Sequence, residues 1–305
     1  ISMGVGSALM ELISPVLERI APYVPGEIFP HFFSGLFQNA LVASVMVTVV
    51  AGFLGSFLLV RNLSLIGDGL AHVSFGGICV GLVLGSSSPL WFALLFSTIA
   101  AILIFEMQRA EILTGDASIA IFLTGMLAFG LVILRVYGGG VTIDVEGYLF
   151  GSVLLIDEKD LDLIVMISVL SIISLLLLKN VLLATTIDPI AAQVQGIPTR
   201  AIGLFFSVTT AAVVVSMVQV VGTLLVTALL VTPAATAQII GKSFRSCLIW
   251  TQFFGLTSVF IGLYLSSEMS TGSGSMIAVV SATIFGIVGL YQTQLAPLLN
   301  PGNNL

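Results

Sequence analysis

Apolar runs of about twenty residues, separated by short polar breaks, occupy almost the whole chain. A bilayer core of about 30 Å takes about 20 apolar residues per helix. The pattern predicts nine spans, over 37–60, 65–86, 89–107, 117–136, 163–179, 200–217, 220–240, 246–266 and 274–293. The run from 200 to 240 is too long for one helix. It is divided near Gln219, where Ser216 and Gln219 mark a tight turn, and counts of eight to ten spans fit the pattern. The fold class is therefore an all-α polytopic membrane protein. Residues 1–35 hold four prolines and are too polar for a span. They read as an outer amphipathic segment lying in the lipid interface. Residues 36–293 form the transmembrane domain and 294–305 a short cytoplasmic tail.

Composition narrows the class. AVILMFWYC residues make up 58% of the 305 positions, and charged residues only 8%, where soluble domains carry about 25%. A net charge of −6 leaves no basic footprint for nucleic acid. Disorder, coiled coil and a disulfide scaffold are excluded too. Cys79 and Cys247 sit in apolar runs without ligand spacing. Gly77, Gly81 and Gly85 form two overlapping GxxxG units that invite close helix packing.

Basic residues set the orientation. One set of connections holds Arg61, Arg109, Lys179, Arg200, Lys242 and Arg245; the other holds Arg19, Arg135 and Lys159. The first set belongs inside, which puts the N-terminus outside and the C-terminus in the cytoplasm. The outer connections are acidic, with Asp144, Glu146, Asp157, Glu158, Asp160 and Glu268. They form a solvated acidic face or draw cations to the outer mouth.

Ionisable groups inside a span are costly and point to function. Asp68 and His72, in GDGLAHVSFGG, lie four residues apart and share one helix face. Three readings are open. The pair can share a metal such as zinc. The carboxylate can fix the imidazole tautomer. Or Asp68 caps the helix and His72 is a satisfied core residue. His31, the second histidine, reads as a surface residue. In VVGTLLVTALLVTPAATAQII, Pro233 removes a backbone hydrogen bond, with Thr227, Thr232 and Thr236 available near the break. Broken helices often line transport pathways. The connection 184–200 predicts a short inner helix, with Thr186 or Asp188 as N-cap, Pro189 in its first turn and Gly196 at its stop. Gly241-Lys242-Ser243 resembles the end of a P-loop, but Thr236 stands where the first glycine is required. No HExxH or GxSxG motif is present, and two histidines leave no catalytic triad to propose.

Four motifs together resemble the membrane permease subunit of zinc and manganese ABC importers. They are SLIGDGLAHVSFGG (64–77), YLFGSVLLI (148–156), IDPIAAQVQGIP (187–198) and VGTLLVTALLVTPAATA (221–237). The similarity covers residues 36–293. More distantly the layout is similar to vitamin B12 and siderophore permeases, which lack the Asp–His pair. The resemblance implies a type II ABC importer permease fold in the cell membrane of a prokaryote, as a homodimer around a central pathway. A cytoplasmic ATPase pair, which hydrolyses the ATP, would dock on the short helix, at Asp188, Ala191, Ala192, Gly196 and Pro198. An extracytoplasmic metal-binding protein would deliver the metal. Asp68 and His72 match the positions that contact metal in transit, and Thr232 and Pro233 fall on a pathway helix. No cofactor is held permanently; Zn2+ or Mn2+ is the substrate. Phe75-Gly76-Gly77, in place of the Pro-Gly pair common in manganese-type permeases, favours zinc. Two departures are the long segment 1–35 and the proline-free loop STGSGS (270–275). The alternative is an ion-coupled secondary transporter in which the Asp–His pair relays protons. An intramembrane enzyme is a distant third reading.

Overall fold

The computed structural model describes residues 4–86, 88–113, 115–138, 143–151 and 156–295, without the side chains of 36, 143–146, 294 and 295. All regular structure among them is helical: α1 (Val5–Ile20), α2 (Gln38–Val60), α3 (Ile66–Val83), α4 (Leu90–Arg109), α5 (Gly115–Tyr137), α6 (Ile143–Phe150), α7 (Glu158–Ile187), α8 (Pro189–Val194), α9 (Thr199–Val221), α10 (Val226–Leu230), α11 (Thr232–Ile240), α12 (Phe244–Glu268) and α13 (Ser273–Leu290), with short 3-10 turns between α1 and α2. Residues 296–305 of the expected cytoplasmic tail lie outside the described residues, as do residues 152–155 of the YLFG motif, while Asp144 and Glu146 fall on α6.

Among the described residues, eight helices are long and apolar enough to cross a membrane. The crossing predicted over 220–240, seventh along the chain, is two short helices, α10 and α11. One end of this crossing packs on Gly151; the other, at Gly241, Lys242 and Ser243, shares a cavity with Val60, Leu183 and Ile187. The division near Gln219 needs correction. α9 runs on to Val221 and stops at Gly222, whose φ is +86°. Gln219 is 5% exposed and donates Nε2 to Asp160 Oδ2 at 2.6 Å. Its polarity is matched by a buried carboxylate, and the turn comes where glycine permits left-handed backbone. Asp160 is accordingly buried and not part of a solvated face. α7 is longer than its predicted span of 163–179. Asp157 caps its start by accepting from Asp160 N at 2.8 Å, and Thr185 and Thr186 close its last turn on Leu182 O.

α2 and α3 form the centre, each with 78% of its most apolar stretch buried, against 17% for α5 and 28% for α13. The outer faces expose Leu95, Ile99, Ile121, Val132, Leu170, Leu177, Val279 and Ile287, the surface a lipid-facing bundle requires. Small residues bring the central helices together. A Cβ on Gly77 would stand 2.9 Å from Ala93 Cα, and one on Gly81 3.1 Å from Pro89 Cα, both against α4. Gly85 does not continue that face; it lies in the turn after α3 with φ +67° and open space around it. Hydroxyls inside the bundle bond back to their own helices, as Ser44 does to Ala40 O and Thr48 to Ser44 O, which satisfies them without water.

The N-terminal segment is strapped over the bundle at two points. Asp162 Oδ1 accepts from Gly6 N at 2.7 Å and Ser7 N at 3.1 Å. Glu268, at the end of α12, accepts from Glu27, Ile28 and Phe29 N–H groups at 3.0–3.2 Å. Leu9, Met10, Ile13 and Leu17 of α1 pack on the core, while Leu12 and Val16 face outward. His31 is exposed in a 3-10 turn.

Candidate functional site

α3 begins at Ile66 after the turn 61–65, so Asp68 and His72 stand in its first two turns. Asp68 does not cap the helix: the N-cap is Leu65, with no side-chain cap bond. Its carboxylate faces the broken crossing, where Thr227 of α10 donates its hydroxyl to Asp68 Oδ1. His72 is 7% exposed, and its Nδ1 is buried with no hydrogen-bond partner among the described residues. Buried polar atoms are nearly always paired, so an orphaned ring nitrogen marks a place for a ligand, water or proton.

The break places Thr227. α10 ends at Leu230 and α11 starts at Thr232, with Pro233 in its first turn. Proline cannot donate to the preceding turn. Ser281 of α13 donates to Ala228 O at 3.1 Å, and Thr236 bonds back to Thr232 O at 2.8 Å. Of the three threonines expected to serve the break, Thr227 instead serves Asp68. Thr232 is half-buried and Pro233 buried. The crossing lies against α2 so tightly that a Cβ on Gly55 would collide with Leu230 O.

No group of three or more His, Cys, Asp or Glu side chains fit to hold a metal occurs among the described residues. Asp68 and His72 are two candidate ligands, fewer than a closed structural site requires. Cys79 is a buried free thiol on α3, and Cys247 a free thiol that donates weakly to Ala237 O.

The second predicted element is the short helix α8. Asp188 is the N-cap of α8, accepting from Ile190 N at 3.0 Å and Ala191 N at 2.8 Å. Thr186, the other N-cap reading, belongs to the last turn of α7. Gly196 ends the turn with φ +83°, and Pro198 precedes α9. Ala192 is buried at 2%, whereas Ile187, Ile190 and Val194 are 71–84% exposed. A short helix that buries alanine and presents isoleucine and valine outward is built to be covered.

Sequence reasoning did not find Thr227 as the partner of Asp68, because the two lie 159 residues apart. It also missed α6 and the carboxylate of Asp162. The break residue Pro233 was the only local signal near Thr227.

The chain is thus a helical membrane bundle with a carboxylate and an imidazole one turn apart on α3, beside a broken helix, and its relatives are membrane permeases. A solved structure described as PsaBC from Streptococcus pneumoniae in complex with Fab covers 89% of this chain and 98% of its own, with a TM-score of 0.78 and 28% identity. The manganese import system permease protein ScaB of Streptococcus parasanguinis is 31% identical over 81% of this chain and 88% of the relative. The manganese transport system membrane protein MntC of Listeria innocua is 30% identical over 84% and 91%. Residues 34–292 match the ABC 3 transport family. The chain belongs to that family.

Proposed function

We propose that the chain is the permease subunit of an ATP-driven importer of a divalent transition metal in a prokaryotic cell membrane. The observation that carries this reading is the unpartnered, buried Nδ1 of His72 one turn from the Asp68 carboxylate. A nitrogen and a carboxylate on one helix face suit borderline divalent cations. Two ligands per chain bind loosely enough to release, and a second copy across a dimer axis would bring the set to four.

Mn2+ is the first candidate substrate, since the relatives named above carry manganese in their names. Zn2+, favoured by the Phe75-Gly76-Gly77 segment, is the second. The exposed α8 face is the docking surface for a cytoplasmic ATPase pair, and a metal-binding protein outside the cell supplies the cation. The N-terminus then lies outside and residues 1–35 rest against the lipid interface.

The test is uptake of radioactive Mn2+ and Zn2+, singly and in competition, by proteoliposomes holding the permease with its ATPase. D68A and H72A should each abolish uptake while the complex still assembles. Normal uptake in both would remove the site. Metal uptake by the chain alone, driven by a proton gradient, would instead support the secondary transporter.

A further inference from the structure

We infer that Arg61 is a positioning residue that ties the ATPase-docking helix α8 to the metal-contacting helix α3. The inference rests on the permease reading above. Arg61 is the C-cap of α2. Its Nε donates to Thr186 Oγ1 at 2.8 Å and its Nη2 to Thr185 Oγ1 at 3.1 Å, both on the last turn of α7. Its guanidinium carbon lies 4.2 Å from the centre of the Phe206 ring on α9, within cation–π range. One side chain therefore joins the ends of α2 and α7 to a residue two turns into α9.

Each side of this junction leads straight to a functional element. Asp188, the cap of α8, follows Thr186 by two residues, and its N–H closes on Ala184 O at 3.1 Å. In the other direction the turn after Arg61 is short and hydrogen-bonded. Asn62 takes φ +56°, Leu63 N donates to Leu58 O at 2.9 Å, and Ile66 N donates to Leu63 O at 3.2 Å. Asp68 stands in the next turn. A displacement of α8 reaches the metal-contacting carboxylate through one side chain and one stiff turn.

Stability does not account for this arginine. No carboxylate lies within ion-pair distance among the described residues. Burial pushes its pKa down to about 10, so it stays charged at neutral pH while the fold carries the desolvation cost. Its partners do not need it either: Thr185 and Thr186 already donate to Leu182 O at 3.0 and 2.6 Å. An apolar residue in its place leaves no donor unpaired. A lysine keeps the charge but cannot grip two hydroxyls with a planar fork.

The experiment reconstitutes wild-type, R61K and R61M permease with the ATPase and the extracytoplasmic binding protein. It measures melting temperature, ATP hydrolysed and radioactive Mn2+ transported. The expected result is near-wild-type melting and hydrolysis, with metal moved per ATP lowered about tenfold, the size of a typical coupling effect. An unchanged ratio overturns the inference. So does a parallel fall of melting, hydrolysis and transport, because that is a structural role alone. Failure of the permease reading shows separately, as wild-type chain that neither binds the ATPase nor moves metal with it.

Discussion

Thr227, on a five-residue helix, donates its hydroxyl to the Asp68 carboxylate of a helix 159 residues earlier in the chain. A hydrogen bond to a charged acceptor contributes about 1.5–3 kcal/mol. T227V should therefore raise the KM for metal uptake about tenfold, while T227S, which keeps the hydroxyl, should stay within a factor of a few. Initial uptake rates against metal concentration make the comparison. Equal KM values for T227V and wild type would detach Thr227 from the site.

The α8 cap offers a second test. D188A removes the acceptor of two backbone N–H groups, a loss of about 0.5–2 kcal/mol for a cap. The short helix should fray and ATPase co-purification should fall, with D188N restoring most of it. Unchanged co-purification in D188A would separate α8 from the docking surface.

Gly222 and Gly151 cross with no room for side chains, each at positive φ, and Thr223 N and Leu224 N donate to Tyr148 O and Leu149 O across the crossing. A methyl at Gly222 meets Gly151 N and adds left-handed strain of roughly 1–2 kcal/mol to overpacking of about 1–3 kcal/mol. G222A should yield aggregated protein or a melting temperature lowered by several degrees. G286A, on α13 with open space at its Cβ, is the matched control and should melt like wild type. Gel filtration in detergent with a fluorescence melt reads both.

Glu268 holds the N-terminal segment by three backbone amides. E268A should speed hydrogen exchange at residues 27–29 and leave the melting of the bundle unchanged, since those bonds lie outside it. Exchange rates at 27–29 equal to wild type would show that the segment is held by its apolar contacts alone.

The spans were readable in the sequence because lipid demands apolar residues at every outward position, and α2, α3, α4 and α5 start and stop within a few residues of the runs that announce them. Asp68 and His72 were readable for the same reason in reverse: charge in such a run is conspicuous. The division of 200–240 was misread because hydropathy ranks Gln219 as the most polar point, whereas the chain turns at Gly222, where backbone geometry decides. Gln219 could stay inside only because Asp160 reaches it from α7, a pairing 59 residues apart. Thr227 was hidden for the same cause. The N-cap of α8 was legible as far as two alternatives, Thr186 and Asp188; Thr186 bonds back to Leu182 O within α7 and Asp188 accepts from Ile190 N and Ala191 N.

The interruption between Leu230 and Thr232 has a mechanical result. A five-residue helix is too short to hold itself, so the hydroxyl that bonds Asp68 is placed by its neighbours: Leu230 O against Gly55 of α2 and Ala228 O accepting from Ser281 of α13. A substitution on α2 or α13 far from Asp68 in sequence therefore bears on the geometry of that carboxylate.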